Sequence, residues 1–310
     1  MAQPTDPLLA GRVAVVTGGN TGIGLVTARE LAKLGAHVFI ACRSNERASS
    51  ALEQIRNALQ AASPQPAGRV EALSLDLGDF GSVKRGAETF LARDLPLHLL
   101  INNAGLAGAR GLCASGFELA FGVNHMGHFL LTELLLDRLR RSAPARIVTV
   151  ASRAHRRVRN LDWNALRAAT KTRSALHEYG VSKLANVLFS AELGRRLAGS
   201  GVTTYSLHPG VVASEVWRAV PWPVQPVIKL FMLSTEEGAR TTLHCATAAE
   251  LAAQTGLYYD QCRVARPAGL ALDAALASEL WQRSETWVAS ALASAGGANG
   301  GRHPPGARAV

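Results

Sequence analysis

The chain has 310 residues, 48% hydrophobic and 18% charged, with 29 glycines and a mean hydropathy of +0.09. This composition suits one large or two small α/β domains; it argues against disorder, and without a run of ~18 uninterrupted apolar residues it also argues against a membrane span. The formal charge is +10, concentrated between Asp137 and Arg173 where eleven Arg or Lys meet two Asp, a pattern open to three readings: a solvated face, a patch for anionic lipid, or a nonspecific nucleic-acid patch.

In chain order, the opening MAQPTDPLLAGR lacks both the basic region and the apolar core of a leader, so a soluble, cytoplasmic protein without an anchor is expected. Strand-like runs RVAVVTGG, HVFIACR, RVEALSLD, LHLLINNAG, RIVTVAS and GVTTYSLHPG then alternate with helical runs GLVTARELAKLG, NERASSALEQIRNALQ, FGSVKRGAETFLARD, ELAFGVNHMGHFLLTELLLDRLRR and a helix beginning near Tyr179. A short strand at GLYYD is expected to close the sheet edge. Near-continuous apolar strands separated by helices predict an α/β fold with a doubly wound parallel sheet of about seven strands, helices on both faces and right-handed crossovers. Four segments break the rhythm: a polar, Pro-rich loop AASPQPAG after the second helix, an insertion at 153–177, a stretch rich in Trp and Pro at 211–235, and a low-complexity tail at 295–310 expected to be disordered. The expected domain is therefore 1–294. Four dispersed cysteines form no Cys-x-x-Cys pair, so no metal site or disulfide framework is expected.

VTGGNTGIG joins the first strand to the first helix. Gly18, Gly22 and Gly24 permit a tight turn and close backbone approach to a pyrophosphate, with Asn20, Thr21 and Ile23 between them and the helix N-terminus favouring its charge. At the end of the second strand an acid would mark NAD; IACRSNER has none until Glu46, and Arg43 can fork onto a 2′-phosphate, although it also suits an exposed loop. NADP(H) is therefore expected over NAD(H). Asp76 either flanks the adenine with Leu77 or caps the next helix.

YGVSK puts Tyr179 and Lys183 on one helix face. A carbonyl accepting hydride needs a proton donor and a hydrogen bond to its oxygen. Tyr179 is the expected donor, Lys183 the cation that lowers the phenol pKa, and Ser152 the hydroxyl holding the substrate oxygen. Taken singly, a strand-end Ser and a snorkelling Lys explain the same residues.

The ordered set VTGGNTGIG, INNAG, GVNHMGHF, VAS, YGVSK and HPG resembles the short-chain dehydrogenase/reductase superfamily over nearly the whole chain. The resemblance implies a Rossmann-type fold and a catalytic tetrad of Asn124, Ser152, Tyr179 and Lys183, with Asn124 supporting a water-linked proton route. It further implies cofactor contacts from Asn103, Ala104, Gly105, Pro209, Gly210 and Val212, and from Tyr179 and Lys183. Ser152 and Tyr179 stand farther apart than in many members. This spacing, HEYGVSKLANVLFSAEL and the closing GLYYDQCRVARPAG resemble the retinol dehydrogenase 11–14 and dehydrogenase/reductase member 13 group, which implies NADP(H) and a lipophilic aldehyde or ketone as substrate. Trp217 and Trp222 would then line an apolar substrate lid at 211–235, a stretch that also suits a packed flap or subunit contact. The resemblance leaves open a monomer or a homo-oligomer paired through the helices near GVNHMGHF and Tyr179. Alternatives are reduction of an activated C=C bond, or a non-catalytic NADP-sensing protein; peripheral membrane contact is a weaker expectation, and no specific nucleic acid is expected.

Overall fold

The computed structural model of the chain describes residues 8–62, 68–210 and 234–297. β1 (Val13–Thr17) and β4 (Leu99–Asn102) are buried at every position, as central strands covered on both faces must be. With β2 (His37–Cys42), β3 (Arg69–Ser74), β5 (Ala145–Val150), β6 (Val202–His208) and β7 (Leu257–Asp260) they form a parallel sheet in the order 3-2-1-4-5-6-7. GLYYD is β7, but it is not the edge. A two-residue antiparallel strand, β8 (Arg263–Val264), pairs outside it, too short to have any readable periodicity.

α1 (Gly22–Lys33) and α2 (Asn45–Ala61) cover one face, joined later in the chain by Thr235–Thr247. The other face carries α3 (Phe80–Leu91), the short α4 (Leu119–Phe121), α5 (Gly127–Arg141) and α6 (Leu176–Arg196). In chain order α7 is Thr235–Thr247 and α8 is Ala274–Gly297. α8 packs on the second face, where Trp281 stacks on Phe189 of α6 at 5.8 Å and meets Phe129 of α5 edge-on at 5.0 Å. It runs three residues past the expected domain end; residues 298–310 of the expected tail lie outside the described residues. Among the described residues no helix is long and apolar enough to cross a membrane.

The long helix expected over ELAFGVNHMGHFLL is interrupted. A π-helical turn at Gly122–Met126 joins α4 to α5. Because strand order reverses between β1 and β4, the loops leaving them diverge and open a crevice at their carboxyl ends.

The segment 153–177 is anchored to the body of the fold along its inner side. It forms 3₁₀ turns at Arg153–Arg157 and Ala165–Arg167 and is pinned by two carboxylates. Buried Glu118 accepts from Phe121 N at 2.9 Å and from the Thr170 hydroxyl, while Glu178 accepts from Thr172 N at 2.9 Å and Lys171 N at 3.2 Å. Arg167 lies over Phe117, and Arg283 of α8 lies over Trp163, each at 4.5 Å. The segment is thus a pad between α4 and α8.

Glu118→Ala, which removes the acceptor of the Phe121 N–H and of the Thr170 hydroxyl and leaves the latter only Gly111 as a partner, is expected to cost about 1–3 kcal/mol in urea denaturation and to speed amide exchange around Thr170. Glu118→Gln keeps an acceptor and should cost less; the reverse order would contradict the clamp.

Candidate functional site

The carboxyl ends of the central strands, the start of α1 and the first turn of α6 enclose a cavity of about 1440 Å³. Gly18, Asn20, Thr21, Gly22, Ile23 and Gly24 line it from the β1–α1 turn, Arg43 from the end of β2, and Asp76 and Leu77 from beyond β3. Asn103, Ala104 and Gly105 follow β4, Ser152 follows β5, Tyr179 and Lys183 project from α6, and Pro209 and Gly210 follow β6. Asn124 lies behind this lining: a Cβ at Gly105 would meet its Oδ1 at 3.4 Å and Lys183 Nζ at 3.3 Å. Val212, Trp217, Trp222 and the expected lid up to residue 233 lie outside the described residues.

The turn after β1 fits a dinucleotide. A Cβ at Gly24 would stand 2.3 Å from Gly18 O and 2.4 Å from Asn103 Nδ2, and Gly18 has φ +65°, so backbone alone fits there. Thr21 makes no side-chain cap on α1, leaving the first N–H groups of a twelve-residue helix available to an anion. Asp76 does not cap α3; its Oδ1 accepts from Gly78 N at 2.9 Å, and Asp79 is the cap, accepting from Gly81 N at 2.8 Å.

Two residues at this end escaped the sequence reading. Ser44 caps α2 by accepting from Arg47 N at 3.3 Å, and Arg47 lines the cavity alongside Arg43. The signal was present: a cation in a helix's first turn opposes the helix dipole and is favoured there when an anion lies close.

At the reactive end Lys183 is 3% exposed, and its Nζ donates to Val150 O at 2.8 Å, 5.7 Å from the Tyr179 ring centroid. Burial holds its pKa down to about 7. The Tyr179 phenol is pushed up by burial and drawn down only by its hydrogen bond with Ser152. The expected lowering of the phenol by the lysine is therefore not met; an ammonium that turns on a carbonyl and is itself close to neutral exerts little pull. Ser152 meets the strand-end expectation, since its Oγ accepts from Ala154 N at 3.2 Å, and it also lines the cavity.

Asn124 sits in the π-helical turn, a distortion frequent at functional sites. Its side chain accepts from Leu106 N at 2.8 Å and donates to Leu106 O at 3.0 Å and Ser182 Oγ at 2.9 Å. With the amide committed to holding the β4 loop against α6, only its main-chain carbonyl is left for a water-linked route. That carbonyl also accepts from His128 Nδ1 at 2.9 Å, and His128 Nε2 lies 2.8 Å from Thr17 Oγ1. Burial keeps His128 neutral, with a pKa of about 4. A carbonyl can only accept, so the proton is on Nδ1 and Thr17 donates to Nε2. Nothing in the spacing of GVNHMGHF reveals this link, because Thr17 is 111 positions away.

A family model described as short chain dehydrogenase matches residues 12–222. The chain is 43% identical to retinol dehydrogenase 12 of Mus musculus, over 90% of this chain and 87% of that one. It is 40% identical to the WW domain-containing oxidoreductase of Gallus gallus, over 92% and 70%. A crystal structure from Mycobacterium paratuberculosis superposes with a TM-score of 0.72 at 34% identity, covering 92% of this chain and 96% of that one. The Pseudomonas aeruginosa RhlG/NADP active-site complex does so at 0.63 and 26% identity, covering 83% and 97%.

Lys183 has a pKa of about 7 in the fold against 10.5 ordinarily. Across that window the unfolded chain binds more protons, so stability from this group rises with pH. Lys183→Met should therefore stabilise the protein by a few kcal/mol below about pH 7, with the gain fading as pH rises toward the ordinary lysine value. Urea denaturation across pH checks this, and a gain independent of pH would contradict a buried cation.

Proposed function

The chain belongs to the short chain dehydrogenase family, oxidoreductases of CH–OH and carbonyl groups that use nicotinamide cofactors, and from that premise we propose an NADP(H)-dependent reductase of a lipophilic aldehyde or ketone. The observation that carries the reading is that Ser152, Tyr179 and Lys183 line one large cavity, with Lys183 one helical turn from Tyr179. Similarity to retinol dehydrogenases favours a retinal-like carbonyl.

Gly18 to Gly24 and the start of α1 would hold the pyrophosphate, Arg43 and Arg47 the 2′-phosphate, and Asp76 and Leu77 the adenine. Asn103 to Gly105, Pro209, Gly210 and Val212 would flank the nicotinamide end, with Trp217 and Trp222 in a substrate lid. A bound reduced nicotinamide supplies the hydride. Tyr179, kept protonated by burial, donates its proton to the carbonyl oxygen, which Ser152 also steadies. Lys183, poised at about 7, takes up a proton that solvent must supply as the phenolate forms beside it, because the new anion favours the ammonium. Asn124 positions the β4 loop against α6.

Tyr179→Phe is expected to lower NADPH-dependent turnover of retinal or a long-chain aldehyde by about 10²–10⁴-fold with NADPH binding retained. Undiminished turnover would remove Tyr179 as the acid, and a product saturated at carbon–carbon would favour C=C reduction. Arg43→Ala with Arg47→Ala should weaken NADPH binding by about tenfold or more and NADH binding little. Equal weakening of both, by titration calorimetry, would remove the 2′-phosphate from this corner.

A further inference from the structure

The basic residues between Asp137 and Arg173 do not form one patch. Arg138 donates to Asp94 at 3.0 Å and Leu95 O at 2.8 Å, and Arg146 to Cys245 O at 3.0 Å and Ala248 O at 2.8 Å. Arg167 lies over Phe117, and Arg153 forks onto Asp260 at 2.7 and 3.1 Å. Two others differ in kind. Arg156 and Arg157 line the same cavity as Ser152 and Tyr179, and neither forms an ion pair with any described carboxylate. Arg156 spends one N–H on Arg266 O at 3.1 Å; Arg157 has no acceptor among the described residues.

Their placement is tied to the reactive end. The 3₁₀ turn Arg153–Arg157 begins at Ser152, which caps it through Ala154 N, so the backbone bearing both arginines is fixed relative to the hydroxyl. A 3₁₀ rise of about 2 Å per residue puts their Cα atoms ~8–10 Å along the turn. Acidic residues in the described lining are Glu46 and Asp76, both at the end near β2 and β3, so among the described residues Arg156 and Arg157, unlike Arg153 with Asp260, have no counter-charge at the reactive end. A third group points the same way. His208 is 5% exposed and lines the cavity with neither ring nitrogen partnered, and burial keeps it neutral, with a pKa of about 4, so one nitrogen offers an N–H.

We propose that the substrate is amphiphilic, an apolar carbonyl compound bearing a carboxylate at its far end, and that Arg156 and Arg157 at the cleft rim bind this carboxylate. This rests on the reading of the site as a carbonyl reductase and narrows it. The guanidinium fork matches a carboxylate in two-point geometry, and burial of the apolar body leaves the charged end at the rim.

The test compares long-chain ω-oxo carboxylic acids of graded length with their methyl esters, using the full chain and NADPH. The expected kcat/KM for the acid exceeds that for the ester by about tenfold or more through KM, and the ratio shrinks as salt is raised. Arg157→Gln should lower the ratio and Arg156→Gln with Arg157→Gln should bring it near one; the single variant keeps the Arg156 bond to Arg266. Equal use of acid and ester by the native chain overturns the carboxylate site and leaves the reductase reading standing. A ratio unchanged in both variants, or a rise in KM confined to NADPH, also overturns it. Turnover of neither compound nor of retinal, with NADPH bound, sinks the reductase reading and this proposal with it.

Discussion

The hydroxyl of Thr17 is fully buried where β1 and β4 part, and the working end of the sheet is organised around it. Its oxygen accepts from Asn103 N at 2.9 Å and Ala104 N at 3.0 Å, and its proton goes to neutral His128, which donates in turn to Asn124 O. One oxygen thus sets the loop leaving β4 against the glycine-rich turn leaving β1, and a single imidazole extends that register to the π-helical turn. Left unpaired, any of these buried groups would cost about as much as a lost hydrogen bond, so they hold together as a unit. Asn124 carries the register on through Ser182 to α6, which bears Tyr179 and Lys183.

Burial sets the electrostatic character of the reactive end more than charge pairing does. Lys183 has a carbonyl rather than a carboxylate as its partner, and His128 and His208 are held neutral. Such a site favours neutral donors that respond when charge develops beside them. The rim is the opposite case: solvent lowers the cost of bare guanidiniums there, and they stay free for an anion that arrives with a ligand.

The pad at 153–177 shows how a long separation in sequence becomes a short one in space. Ser152 is fixed by β5 and Tyr179 by α6, so the intervening residues are free to pack elsewhere. They do so on α4 and α8 through Glu118, Arg167 and Trp163. Of the segment, the first turn and Leu176 stay at the cleft.

The sequence by itself determined the parallel sheet, since runs such as VAVVT and LLIN are apolar up to their last residue and only a doubly covered strand accommodates them. It also determined the glycine turn and the Tyr179–Lys183 pair, because local geometry dictates both. Tertiary structure alone decided where long-range polar bonds go: that Thr17 answers His128, that Asp79 rather than Asp76 caps α3, that Lys183 turns to Val150, and that among the described arginines Arg156 and Arg157 face the reactive end without a counter-charge. Periodicity reports which face of an element is buried. It carries no record of which buried donor meets which acceptor, because that depends on how distant elements are brought together.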